Sequence, residues 1–282
     1  MRFHKEKSEI YIPDQTPLPD ALVRTTDLCI AAHQDDIEIM AARPIIECFH
    51  HEQRWFSGVV LTDGRGSPRD GIYRHTSDGE MQQIRKMEQR KAAYTGEYGA
   101  LVQLDYPSTE IKDSSYHQPV EDLIRLLQVA KPKTIYTHNL ADKHDTHVAV
   151  SLRVIAALRM LTPTERPEKI FGCEVWRSLD WVNDFEKVVM DLSTHENLQQ
   201  ALLSVYDSQI VGGKRYDLAT MNRRQANATF FESHQVDVML RASFAMDLTP
   251  LVNDPNIQPS EYIHEFIHRF ETDVMNRIAR MS

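Results

Sequence analysis

Long apolar runs are missing from this 282-residue chain. No stretch approaches the roughly 18 apolar residues that a membrane-spanning helix needs, so no membrane partner is expected. Cysteine is scarce. Cys29, Cys48 and Cys173 are the 3 present, too few and too scattered for a disulfide framework. Cys29 lies inside an apolar run and reads as a small core residue. Positive charge is also short: Lys and Arg total 32 against 41 Asp and Glu, a net charge of −9. Such a surface lacks the basic footprint that nucleic acids and anionic membranes require. The opening MRFHKEKSEIYIPDQTPLPD carries no apolar segment of signal-peptide type, so the expected location is cytoplasmic. Internal repeats and low-complexity tracts are absent.

What is present is an ordinary globular composition, 41% hydrophobic and 26% charged. Residues 1–25, with Pro13, Pro17 and Pro19, read as an irregular leader. Strands are expected at 27–33, 55–62, 101–104 and 134–137. Helices are expected at about 42–51, 79–97, 119–130 and 146–161. The first of these starts near Ala42 because Pro44 is tolerated only in an opening turn. This alternation predicts a mostly parallel α/β sheet with helices on both faces. Further strands are expected at 171–175, 187–192 and 236–244, and further helices at 195–206 and 216–229. An amphipathic helix at 259–281 should bury Ile263, Phe266, Ile267, Phe270, Val274 and Ile278. The reading is one domain over 1–282, with a core at about 26–210 and a C-terminal elaboration at about 211–282. The exposed side of the last helix is a candidate homo-oligomer interface.

Chemistry gathers at two strand ends. The run CIAAHQDDIE, residues 29–38, delivers His33, Asp35 and Asp36 to the C-terminal edge of the first long strand, where open α/β sheets bind ligands. The run HNLADKHDTH, residues 138–147, lies at the same edge after the 134–137 strand. His144 and His147, three apart at a helix entry, can face one point. His33, Asp36 and one of these histidines would surround a zinc ion with two nitrogens and one oxygen. That leaves a position open for water, the arrangement of a catalytic site. Asp35 then suits the base, and the remaining histidine the oxyanion stabiliser.

With these motifs in order, the sequence resembles the PIG-L/LmbE-like N-acetylglucosaminyl deacetylase superfamily. The family's A-H-P-D-D-x-E is matched by Ala32-His33-Gln34-Asp35-Asp36-Ile37-Glu38 in all but the proline. Its Thr-Asn/Asp-Gly is matched by Thr62-Asp63-Gly64, and its R-x-x-E by Arg85 and Glu88. Its H-x-D-H is matched in part by His144 and His147, and its segment ending in Ser-Gln by Tyr206-Asp207-Ser208-Gln209. The resemblance spans residues 27 to about 210.

The resemblance implies a Rossmann-like fold and zinc-dependent hydrolysis of the N-acetyl amide of a small sugar or glycoside. It implies metal ligands His33, Asp36 and His147, with Asp35 as general base and His144, as a cation, on the oxyanion. Arg65 or Arg69, after the second long strand, would grip the substrate. Three departures stand out. Gln34 replaces proline, Met40, Ala42 and Arg43 replace a glycine-rich turn, and Thr146 replaces an Asp, leaving Asp142 or Asp145 to hold His144 charged. They keep open the alternative of a catalytically degenerate metal- or sugar-binding protein. One further pattern, His264-Glu265-Phe266-Ile267-His268, fits the zinc-peptidase signature H-E-x-x-H. It is read as a solvated helix flank.

Overall fold

The computed structural model describes residues 1–282. Eight strands form one sheet: β1 (Glu9–Tyr11), β2 (Asp27–Ala31), β3 (Phe56–Thr62), β4 (Ala100–Tyr106), β5 (Thr134–His138), β6 (Lys169–Cys173), β7 (Val188–Asp191) and β8 (Ala242–Asp247). Their order is β1-β4-β3-β2-β5-β6-β8-β7. The inner run from β4 to β6 is parallel, and β1, β8 and β7 join antiparallel. The expected mostly parallel α/β sheet is thus the observed one.

Every residue of β2 and of β3 is buried. Strands covered on both faces read as continuous apolar runs, not as alternations. Leu28 and Ile30 enter one hydrophobic core, Cys29 and Ala31 the other. Helices Gln118–Ala130 and Asp145–Met160 cover the first face. Helices Ala42–Cys48, Asp78–Thr95 and Glu196–Ser204 cover the second. From β2 the chain builds β3 and β4 to one side and β5 and β6 to the other. The order therefore reverses between β2 and β5, the crevice where such sheets place ligands.

Several elements differ from expectation. The leader is not wholly irregular: β1 pairs with β4, Glu9 opposite Gln103. Three residues are too few to show a period. A short helix at Asp36–Met40 precedes the expected one, which begins at Ala42 after a break at Ala41. The expected strand at 236–244 sits later, at Ala242–Asp247. Val236, Val238 and Leu240, which suggested the alternation, are exposed. β8 lies between β6 and β7, so the part after residue 211 supplies an inner strand of the sheet. The helix Pro259–Met281 forms as expected, but of its apolar stripe only Ile263 is buried, while Ile267, Val274 and Ile278 are exposed.

The helix Asp78–Thr95 is opened by a capping box between Ser77 and Glu80. It buries Met81, Ala92 and Ala93, but also Arg85, Lys86, Glu88 and Gln89, while Met87 and Tyr94 face solvent. Burying such groups is favourable only where each finds a partner. Lys86 finds its partners in Asp105 and the Lys7 carbonyl, while those of Arg85, Glu88 and Gln89 lie around the site.

Candidate metal centre

β2 ends at Ala31, and the chain turns through His33 to Asp35, whose φ is +96°. A non-glycine residue held there is strained, and such strain persists only where the surroundings fix it. The Asp35 backbone N–H donates to Gln89 Oε1 at 3.1 Å, and Arg85 donates to the Asp35 carboxylate at 3.1 Å. Arg85 also reaches the Gln34 carbonyl and Ser67 Oγ. The buried cation of the second-face helix thus clamps the turn that carries the carboxylates.

Three donor atoms converge beside this turn. His33 Nδ1 lies 3.1 Å from Asp36 Oδ2 and 3.2 Å from His147 Nε2, and the last two are 3.3 Å apart. Ligands about 2.05 Å from a tetrahedral zinc stand roughly 3.3 Å apart, so the spacing suits such an ion. Two overlapping groups of metal-competent side chains occur, His33 with His144 and His147, and Asp36 with His138 and His147. His138 drops out on hydrogen bonding. Its Nε2 accepts the Ala32 N–H at 2.9 Å, which uses the lone pair. Burial, reinforced by His147, pushes His138 down to about 4, so it is neutral. It stacks on His147, ring centroids 3.9 Å apart, and serves as a wall. Sequence reading gave His138 no role, because a histidine at a strand end looks the same whether it ligates or packs.

Outer contacts orient the donors. Asp142 Oδ2 lies 2.8 Å from His147 Nδ1, and Asp142 also accepts the N–H groups of Val175 and Trp176. With Nδ1 bonded to a carboxylate, the His147 Nε2 lone pair points at the centre. Burial opposes a charge on His147, but Asp36 and Asp142 hold it up to about 9. Burial alone would raise Asp36, yet the facing histidines hold it well below the usual carboxylate range. Asp35 goes the other way, pushed well above that range by burial despite Arg85.

His144 is half-exposed over the centre, its ring 4.7 Å from that of His147. Its Nδ1 accepts the Thr146 N–H at 3.3 Å, so the neutral ring carries its proton on Nε2. No carboxylate holds it charged: Asp142 is committed to His147, and burial lowers His144.

The remaining motif residues form a scaffold. Glu38 is buried and accepts from Tyr98 OH at 2.6 Å, from Gln89 Nε2 at 2.8 Å and from Tyr206. Burial pushes it up to about 7. Glu88 accepts the Ser208 backbone N–H and hydroxyl at 2.7 and 2.6 Å. The Arg85-x-x-Glu88 pair and the Ser208-Gln209 segment are therefore two halves of one contact.

A cavity of about 420 Å³ opens over the cluster. Asp35, Asp36, His33, His144 and His147 line its floor. Arg65 is on the wall, ion-paired to Asp63 at 2.5 Å. Arg69 is not on the wall; it binds Asp78 at 2.6 Å. Sequence reading missed the opposite wall, where Trp176 and Tyr216 meet edge to face at 6.1 Å and Lys214 lies over Trp176. No motif flags such loop residues. His264 and His268 sit on the remote last helix, their ring centroids 6.2 Å apart, in no group that could hold a metal.

Residues 28–158 match the PIG-L family model, described as GlcNAc-PI de-N-acetylase. The matched span holds His33, Asp35, Asp36, His144 and His147. No curated protein matches the chain. Three solved structures show the fold. A conserved protein from Thermus thermophilus superposes with TM-score 0.62 at 18% identity, covering 83% of this chain and 99% of that one. The N,N'-diacetylchitobiose deacetylase of Pyrococcus horikoshii gives TM-score 0.62 at 16% identity, covering 82% and 86%. The 4-carboxy-2-hydroxymuconate hydratase of Pseudomonas putida gives 0.61 at 14%, covering 83% and 98%. At these identities the likeness concerns the fold, which hosts more than one chemistry.

Proposed function

With a PIG-L-type domain over residues 28–158, we propose that the protein is a metal-dependent deacetylase that hydrolyses the N-acetyl group of a sugar or glycoside. The observation that carries this reading is the triangle of His33 Nδ1, Asp36 Oδ2 and His147 Nε2, with sides of 3.1 to 3.3 Å, set beside the carboxylate of Asp35, which belongs to none of its sides. A zinc ion held by these three residues would polarise the acetamide carbonyl and make water acidic enough to attack at neutral pH.

The chain's own groups supply the rest. Asp35 lines the cavity, and its Oδ2 is held by Arg85 while Oδ1 accepts no hydrogen bond. Oδ1 takes a proton from water as the water oxygen bonds to the acetamide carbon. His144 Nε2–H donates to the carbonyl oxygen as negative charge builds there. The reading departs here from the cationic histidine expected from sequence, because burial, with His147 and His33, outweighs the pull of Asp36 and Asp142 and lowers His144. The C–N bond then breaks, the Asp35 proton passes to the departing nitrogen, and acetate and a free amine remain. Arg65 and the Trp176–Tyr216 wall position the sugar. Arg69, tied to Asp78 outside the cavity, has no part in this.

The test is acetate release from N-acetylated sugars by the zinc-loaded protein and by Asp35→Asn. The expected result is turnover by wild type and a loss of about 100-fold or more in the variant, at equal metal content. Equal turnover in both would remove Asp35 as the base. Tight sugar binding without acetate release would support the degenerate binding protein.

A further inference from the structure

The helix Pro259–Met281 starts against the body of the protein and then leaves it. Ile263 is buried, and Tyr262 and Phe266 pack on the first core. Arg269 reaches back to Glu186 at 2.6 Å. From Glu271 onward every residue but Asp273 is exposed. This free part is about three turns long, and an isolated helix that short is marginal in water.

Its apolar residues continue the stripe that Ile263 begins. At about 100° per residue, Ile267, Phe270, Val274, Ile278 and Met281 fall within an arc of about 80°. Their intervals of three and four are those of a seam between two helices. Phe270 is half-buried, while Ile267, Val274, Ile278 and Met281 are exposed. The flanks decide what covers them. A helix that lies on a lipid surface has a polar face rich in Lys and Arg. Here Glu261, Glu265, Glu271 and Asp273 stand beside Arg269, Arg277 and Arg280, a mixture that suits another protein helix.

We propose that this helix pairs antiparallel with the same helix of a second copy of the chain, forming a two-fold dimer. An isologous contact requires a patch that complements itself, and this one does. With the axis at Val274, Ile267 meets the partner's Met281, Phe270 meets the partner's Ile278, and Val274 meets its own copy. Asp273 and Arg277 lie on one flank and are paired at 2.6 Å within the chain. The axis sets each Asp273 within about 3 Å, along the helix, of the partner's Arg277, so the four charges alternate in sign around it. A parallel pair would instead bring Asp273 level with the partner's Glu271, like charge against like. Opposed helix dipoles also favour the antiparallel arrangement.

The test is sedimentation equilibrium of the full chain at up to about 200 μM. Wild type should approach twice the chain mass of 32.6 kDa. Val274→Glu, at an exposed position outside the cavity, should stay folded by circular dichroism and remain monomeric at the same concentration. Orientation is read by mixing Ile267→Cys and Met281→Cys chains with a short bismaleimide, since Cys29, Cys48 and Cys173 are buried. The mixed crosslink should form. Ile267→Cys alone should not crosslink to itself, because the two copies of that position stand about 21 Å apart along the axis. A monomer at every concentration, a dimer that persists in Val274→Glu, or a self-crosslink of Ile267→Cys would overturn the proposal. A monomer that floats with phosphatidylcholine–phosphatidylglycerol vesicles would also overturn it and assign the stripe to a lipid surface.

Discussion

Asp142 Oδ2 lies 2.8 Å from His147 Nδ1, and the same carboxylate receives the N–H groups of Val175 and Trp176. One residue thus fixes the tautomer of a proposed ligand and ties the loop after β6 to it. Asp142→Asn keeps the size but loses the charge. Metal affinity should fall by about 10- to 100-fold, measured by competition with a chelating dye. Unchanged affinity would show that Asp142 does not support the ligand.

Gly64 has φ +74°, and a Cβ there would lie 2.5 Å from Gln34 Oε1 and 3.1 Å from Arg85 Cδ. Gln34 is buried, and Arg85 clamps the Asp35 turn. Gly64→Ala should cost about 1–3 kcal/mol of stability and reduce turnover together with it. Calorimetry and acetate release on the same sample check this. Full activity with a normal melt would mean that the turn tolerates movement.

Trp176 stands on the cavity wall, with Lys214 over its ring at 5.3 Å. Its removal should weaken sugar binding more than it slows the chemistry. Trp176→Ala is expected to raise KM about 10-fold, with kcat changed by less than about 3-fold. Steady-state kinetics with an N-acetylated sugar decide it. A loss confined to kcat would place Trp176 nearer the reacting atoms.

Burial pushes the Glu174 carboxyl from 4.5 up to about 7. Its folded value is the higher one, so its contribution to stability is complete below pH 4.5. That contribution is lost as pH rises through about 7. Glu174→Gln removes the titration, though it leaves one of two donors without an acceptor and lowers Tm overall. Between pH 5 and 8 the variant's Tm should decline less steeply than that of wild type. Parallel slopes would mean that Glu174 keeps an ordinary value.

The strand ends were legible in the sequence because β2, β3 and β5 are short, largely buried runs that stop at polar and charged residues. His33, Asp35, Asp36 and His147 follow from that pattern, and the structure brings them together at the crevice between β2 and β5. The face of Asp78–Thr95 was not legible. Its buried side carries Arg85, Glu88 and Gln89, which are satisfied by the Asp35 turn and Ser67, by Ser208, and by Glu38 and Tyr206. Hydrophobic periodicity does not mark such a buried polar face, since it has no knowledge of partners far along the chain. Gln34, which replaces the family's proline, is fully buried, and its Nε2 donates to the Thr62 carbonyl at 3.1 Å, a contact that no local pattern shows. Trp176 and Tyr216, on irregular or later segments, carry no local signal at all.

The central claim is that the metal is held where β2 and β5 end. Elemental analysis of zinc per chain tests it most directly, in wild type, His147→Ala and His268→Ala. The expected result is about one zinc in wild type and in His268→Ala, and none in His147→Ala. Loss of the metal in His268→Ala, with retention in His147→Ala, would contradict the account and move the centre to the C-terminal helix.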